Sequence, residues 1–206
     1  QDAIFGNNTG TTGELIINGG ILTTGTNLEF CNYAQGHGRL YMNSGTVYVG
    51  ADLIIADAAD ANGVIFMQDG VINVANSLVV GTTSSSLGSI YLNGGTINCS
   101  GFGIAVLGKI YVGGGKIICN GDQQTTFNSA IADGRITKAS TADPNYAPIA
   151  SYDEVLDSTT LELRFVDSNV AFDPSPENIE TEVGNQADLV RATAINGTDS
   201  HNVYFG

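Results

Sequence analysis

The stretch GSIYLNGGTIN, residues 88–98, contains the pattern that decides the fold. It places an aromatic residue between two aliphatic residues, after one glycine and before a polar residue and two more glycines. The pattern recurs at steps of 25, 25, 25 and 20 residues, beginning at Gly13, Gly38, Gly63, Gly88 and Gly108. A second glycine stands seven places after each of these. Self-similarity at a fixed period is the signature of a repeat architecture, so the stretch is one unit of a repeating chain.

The aligned repeats predict short strands joined by glycine corners. The second and fourth places after the first glycine hold Leu, Ile, Met or Val in every repeat, a period of two that is typical of one buried strand face. Short strands without crossover helices predict that each repeat winds once and stacks on the next. The predicted fold is an all-β, right-handed parallel β-helix with coils of about 25 residues. The second glycine column predicts corners with positive φ, where a Cβ would clash.

The repeats divide the chain into three predicted parts. Residues 1–135 form the β-helix, with 1–12 as an imperfect first coil; residues 136–170 form C-terminal capping strands; residues 171–206 are a linker and the start of a further module. Within FNSAIADGRITKAS, residues 127–140, we predict a strand pair around the DG turn. The alternation in SYDEVLDSTTLELRFVD, residues 151–167, predicts a strand that closes the final coil.

Composition excludes some classes of partner. The net charge is −14, from 7 basic and 21 acidic residues, so the chain lacks the cations that neutralise nucleic-acid phosphates. No run of 18 apolar residues predicts a membrane span, and QDAIFGNNTG has no signal-peptide pattern. Low charge with abundant Asn, Thr and Gly favours an extracellular protein, expected as a monomer. Cys31, Cys99 and Cys119 have no CxxC spacing and are predicted to be buried small hydrophobes.

The column between the two aliphatic columns carries the candidate binding residues. Because its neighbours face the core, its side chains face outward; after Ile16 it holds Tyr41, Phe66, Tyr91 and Tyr111. Coils stack about 4.8 Å apart, and a β-1,4-linked pyranose chain advances by a similar distance per sugar. Aromatic faces suit the apolar C–H faces of sugars, and amides suit their hydroxyls. The predicted carbohydrate-binding residues are therefore Tyr41, Phe66, Tyr91, Tyr111, the further aromatic Tyr48, and Asn43, Gln68 and Asn93 from a column that begins at Asn18.

Two parts of the chain resemble known proteins. The Gly–x–aliphatic–x–aliphatic–Asn–Gly–Gly repeat resembles β-helix segments of large secreted bacterial proteins. The tail, with Ala171, Pro174, Pro176 and HNVYFG at residues 201–206, is similar to the junction before a fibronectin- or immunoglobulin-like module, with Val190 where that junction usually has Trp. The β-helix as a whole resembles carbohydrate-binding module family 89. That resemblance implies xylan binding, no catalysis, no cofactor and attachment to a secreted glycoside hydrolase.

Other interpretations stay open. Stacked aromatic and Asn columns stabilise β-solenoids without any ligand, as in an adhesin segment, and the C-terminal segment could cover the column. A polysaccharide lyase needs cations and a base, for which the repeats offer Arg39, Lys109, Lys116 and His37. A hydrolase needs two carboxylates at one groove, and calcium needs six or more oxygens. For either role the candidates are Asp52, Asp57, Asp60 and Asp69.

Overall fold

The computed structural model describes residues 2–166, and the predicted further module at 171–206 lies outside the described residues. The described chain is a parallel β-solenoid of about five turns. Its strands are β1 Ala3–Phe5, β2 Thr12–Thr24, β3 Leu28–Phe30, β4 His37–Val49, β5 Leu53–Ile55, β6 Asn62–Met67, β7 Val71–Val74, β8 Ser77–Val80, β9 Leu87–Leu92, β10 Thr96–Cys99, β11 Gly101–Ile104, β12 Lys109–Val112, β13 Lys116–Asn120, β14 Ile136–Lys138, β15 Tyr146–Asp153 and β16 Ser158–Phe165. The described residues contain one helix, α1, at Gln124–Ala132.

Each coil contributes to three faces. The first face consists of β6, β9, β12, β14 and the N-terminal halves of β2 and β4; the second consists of β7, β10, β13 and the C-terminal halves of β2 and β4. The third face has the order β1-β3-β5-β8-β11. All these pairings are parallel, and they join equivalent residues of successive repeats, such as Leu40 with Ile65 and Ile65 with Ile90. The predicted stacking of coils is therefore confirmed.

The core lies inside the coils. Along β6 and β9 the inward residues Ile65, Met67, Ile90 and Leu92 have no exposed surface, while the residues between them are half-buried. Inward side chains from all three faces join one apolar cluster. Burial of this apolar surface is the main free-energy term that favours the folded coils.

Both glycine columns are required by close backbone contacts. In the second column, Gly45, Gly70 and Gly95 have φ of 96°, 95° and 76°, as predicted for the corners between the first and second faces, whereas Gly115 does not have a positive φ. A Cβ on Gly45, Gly70 or Gly95 would lie within 2.8 Å of the carbonyl oxygen of the equivalent glycine in the preceding coil. In the first column, a Cβ on Gly63 would lie 2.5 Å from the carbonyl oxygen of Phe30, where the third face approaches the first. The repeat pattern did not reveal this second constraint.

The C-terminal cap differs in part from the prediction. The predicted strand pair at 127–140 is wrong, because its first half belongs to helix α1, in which Phe127 and Ala130 face the core three residues apart. Phe127 stacks on Phe102 with ring centroids 4.4 Å apart, and Gly134 follows the helix with φ of 67°. The second half is β14, which still pairs with β12 in parallel, so the first face continues beyond residue 135.

Two antiparallel strands complete the cap. The strand predicted within residues 151–167 is present as β16, Ser158–Phe165, after a turn that follows β15, and it pairs antiparallel with β13 and with β15. At the other end, β1 forms the imperfect first coil that was predicted, and it pairs with β3. The described chain up to Phe165 is one compact unit. None of its helices has the length and apolar character needed to cross a membrane.

The three cysteines are buried, which confirms their prediction as core residues. Cys99 and Cys119 are neighbours on β10 and β13; a hydrogen bond with Cys99, followed by burial, raises the pKa of the Cys119 thiol. A raised pKa lowers the thiolate fraction, and the thiolate is the nucleophile. Because all three thiols are buried, we expect iodoacetamide to leave them unmodified in the native protein at pH 8 and to modify them in denaturant. Rapid native labelling, measured by mass spectrometry, would contradict this packing.

Candidate ligand-binding face

The aromatic column forms a continuous stack on the first face. The rings of Tyr41, Phe66, Tyr91 and Tyr111, here called the aromatic ladder, have successive centroid distances of 5.0, 4.9 and 4.7 Å. Neighbouring ring planes differ by only 8°, 12° and 17°. All four side chains are half-buried, which confirms that the column faces outward. In-register pairing of the strands fixes this spacing, because each ring is carried by the equivalent residue of its coil.

The ring orientation differs from a flat platform. Near-parallel rings with centroids 4.7–5.0 Å apart are offset stacks, so each ring covers part of its neighbour's face. What remains for a ligand is a ridge made of ring edges, exposed parts of ring faces and the three tyrosine hydroxyls. The hydroxyls of Tyr41, Tyr91 and Tyr111 form no hydrogen bond with any described residue and are not among the buried unpartnered atoms. They are therefore available to water or to a ligand.

The ladder is bordered by a groove on each side. The upstream groove, about 440 Å³, lies toward the starts of the strands and shares Phe66 and Tyr91 with the ladder; its other lining residues are Asn62, Val64, Leu87, Ser89, Leu107 and Lys109. The downstream groove, about 490 Å³, lies toward the strand ends and is lined by Phe66, Tyr91 and Tyr111 together with Asn93 and residues 138–141. Tyr91 thus lies between two elongated, partly apolar depressions.

The described C-terminal segment borders the ladder without burying it. β14 adds Thr137 beside Tyr111, and residues 138–141 form one wall of the downstream groove. Tyr91 and Tyr111 nevertheless stay only half-buried. At the other end, Ile16 precedes Tyr41 in the column and is 60% exposed. The stack is therefore open to solvent along its whole length within the described chain.

The predicted amide column divides into two parts. The Asn43 side-chain amide donates to Asn18 Oδ1 at 2.7 Å, so this pair supports the corner between coils. Gln68 and Asn93 are exposed and form no side-chain hydrogen bond with the described residues, and Asn93 lines the downstream groove. Asn93 is thus the amide residue that the structure places beside the ladder, while Asn43 stabilises the coil through its hydrogen bond to Asn18.

Tyr48 lies apart from the ladder. It is 47% exposed and belongs to the second face, where its backbone pairs with Asn73 beyond the Gly45 corner. The same column continues with a hydrogen bond of 2.9 Å between the Asn98 amide and Asn73 Oδ1. Tyr48 therefore does not extend the aromatic stack of the first face.

The four candidate acidic residues lie at three different corners of the coil. Asp52 Oδ1 accepts from the Ser77 amide at 2.9 Å, and Asp69 Oδ1 accepts from the Gly70 amide at 2.7 Å. Asp57 and Asp60 follow β5 at the third corner, where Asp60 has φ of 58°. The winding of the coil thus separates residues that are close in sequence, and the four candidates do not meet at one groove. In residues 2–166, no group of three or more His, Cys, Asp or Glu side chains could hold a metal ion.

Among the candidate lyase residues, His37 shares strand β4 with Arg39, whereas the two lysines lie on other strands. His37 starts β4 in the second full coil, whereas Lys109 starts β12 in the fifth. Three coil steps of about 4.8 Å each lie between their strands, too far for a base and a cation to act on one sugar. Arg39 is paired with Glu14 at 3.2 Å.

Comparisons of this chain with family models, with curated proteins and with solved structures return no match.

Proposed function

We propose that this chain is a non-catalytic carbohydrate-binding module for a plant cell-wall β-glycan, with xylan as the first candidate. The observation that carries the proposal is the aromatic ladder, a half-exposed stack bordered by two grooves. The choice of xylan rests on the sequence resemblance. The ladder itself supports any extended β-1,4-linked chain.

The chemistry of the face suits a neutral sugar backbone. Ring edges and exposed ring faces provide apolar contact for C–H groups, while tyrosine hydroxyls and the Asn93 amide provide donors and acceptors for sugar hydroxyls. Successive rings lie 4.7–5.0 Å apart, so a polymer running along the ladder would meet an equivalent contact at each sugar. Each groove is lined by residues from successive coils.

Stacking of the rings does not oppose binding. Each ring is held by its neighbours and by the strands, so little side-chain entropy remains to be lost when a ligand binds. Contacts per sugar are few, however, because the neighbouring rings already cover part of each ring. We therefore expect weak to moderate affinity that rises with chain length up to the length of the ladder. Such affinity suits a module that raises the local concentration of a tethered secreted catalytic domain near its polymer.

Affinity electrophoresis and calorimetry on the isolated chain test this function. Xylan should retard the protein, and xylohexaose should bind more tightly than xylotriose, because only the longer chain contacts the whole ladder. Cellulose, mixed-linkage glucan and pectin serve as the comparison panel. Binding without released sugar supports the proposal. Release of reducing sugars or unsaturated uronides would favour an enzyme, and no binding to any glycan would favour a structural solenoid.

A further inference from the structure

Among the six lysine and arginine residues of the described chain, the two residue types differ in whether they form ion pairs. All three arginines form ion pairs, Arg39 with Glu14, Arg135 with Asp133 and Arg164 with Glu162, at 3.2, 2.7 and 3.0 Å. Within residues 2–166, none of the three lysines forms an ion pair. Instead each lysine lines a groove: Lys109 the upstream groove, Lys138 the downstream groove, and Lys116 a third depression near the cap.

Both ladder lysines keep donor capacity for a ligand. Lys109 Nζ donates to the carbonyl oxygen of Gly134 at 2.8 Å, and Lys138 Nζ donates to that of Asp143 at 3.4 Å. An ammonium group has three donors, so each lysine retains two that no described residue uses. Lys109 lies two residues before Tyr111 on the same side of β12, about 7 Å along the strand from the last ring of the ladder.

The grooves beside the ladder have no acidic residue among their described lining residues. The chain as a whole has 21 acidic and 7 basic side chains, so the charge of these grooves is opposite in sign to that of the whole chain. The depression around Lys116 differs, since Asp143 and Glu162 also line it. The net charge of −14 repels anions at long range, but salt screens that repulsion over about 8 Å under physiological conditions. The local sign of the ladder grooves is therefore set by Lys109 and Lys138.

We infer that the bound glycan carries carboxylate groups, as uronic acid side groups on a β-1,4-linked backbone. This inference rests on the proposed function, since the ladder would hold the backbone while the lysines reach its side groups. A carboxylate accepts hydrogen bonds from an ammonium group and forms a charge-assisted contact with it. Two lysines on opposite sides of the ladder could each contact a side group, whichever way the substituted sugar points.

The experiment compares one polymer in two chemical forms. Glucuronoxylan and the same preparation after reduction of its carboxyl groups to alcohols have the same backbone and length. By calorimetry, the acidic form should bind the wild-type chain about 3- to 10-fold more tightly, the gain expected for two partly exposed charge contacts. Equal affinity would overturn the inference and leave the proposed function standing. Failure of both forms to bind would overturn both.

Matched variants locate the effect. Lys109→Gln with Lys138→Gln should remove the preference for the acidic form, so that the variant binds the acidic and the reduced form with equal affinity. Lys138→Arg in a Lys109→Gln background keeps one of the two charges, so it should retain the part of the preference that Lys109→Gln alone retains. Lys116→Gln removes the same charge from the depression that contains Asp143 and Glu162, so it should keep the full preference. Loss of the preference in Lys116→Gln alone would overturn the assignment to the ladder lysines.

Discussion

The double replacement Phe66→Ala and Tyr91→Ala is expected to reduce xylan binding by roughly 30-fold or more, because two central anchors are lost together. Every stacked pair of the ladder includes one of these two residues. Both grooves also use both rings as walls. Calorimetry with xylohexaose measures the loss. A folded double variant that binds as the wild type does would exclude the ladder as the site.

The same replacement is also expected to lower stability. The structure shows three stacked contacts among half-buried rings, and the replacement removes all three. Stacked pairs contribute about 0.5–1.5 kcal/mol each beyond their buried area, so the free energy of unfolding should fall by about 2–4 kcal/mol. Tyr91→Phe is the matched control: it keeps the stack and loses one hydroxyl, so it should keep full stability and bind only a few-fold more weakly.

Gly63→Ala is expected to destabilise the fold by about 3 kcal/mol or more, the range of severe overpacking. Its Cβ would lie 2.5 Å from the carbonyl oxygen of Phe30 and 2.6 Å from the amide nitrogen of Ala56. Both atoms are backbone atoms, so relief requires the third face to move away from the first. That movement would disturb the register of the coils on either side.

Gly103→Ala is the control for this prediction. Gly103 lies in β11 on the third face, and a Cβ there would meet no atom within 4 Å. We expect its free energy of unfolding to match that of the wild type within about 0.5 kcal/mol. Equal midpoints for Gly63→Ala and the wild type in urea would show that the two faces are not packed as closely as described.

The repeat made the path of the chain predictable. Equivalent residues of successive coils must pair in a parallel sheet, so the alternation in GSIYLNGG indicates both the buried pair Ile90 and Leu92 and the outward ring of Tyr91. The close contacts between equivalent glycines of the second column in successive coils were predictable for the same reason. Where the backbone conformation repeats from coil to coil, one column of the aligned sequence predicts the position of the equivalent residue in each coil.

Features that depend on side-chain torsion or on non-repeating segments were not predictable in this way. Periodicity places Tyr91 outside but says nothing about its χ angles, so the offset stack appears only in three dimensions. Helix α1 is only nine residues long, with Phe127 and Ala130 on one side and the DG turn at its end. A helical pattern of this length is too short to be recognised within a β-rich sequence. Lys138 returns to the ladder because β14 continues the first face.

The central claim is that a glycan lies along the aromatic ladder. It is tested most directly by NMR titration of the isolated chain with xylohexaose, with the aromatic ring signals assigned. The ring signals of Tyr41, Phe66, Tyr91 and Tyr111 should shift together with ligand concentration, while those of Tyr48, on the second face, stay unchanged. Shifts confined to Tyr48 or other residues away from the ladder, or no shifts at concentrations at which calorimetry detects binding, would contradict the claim.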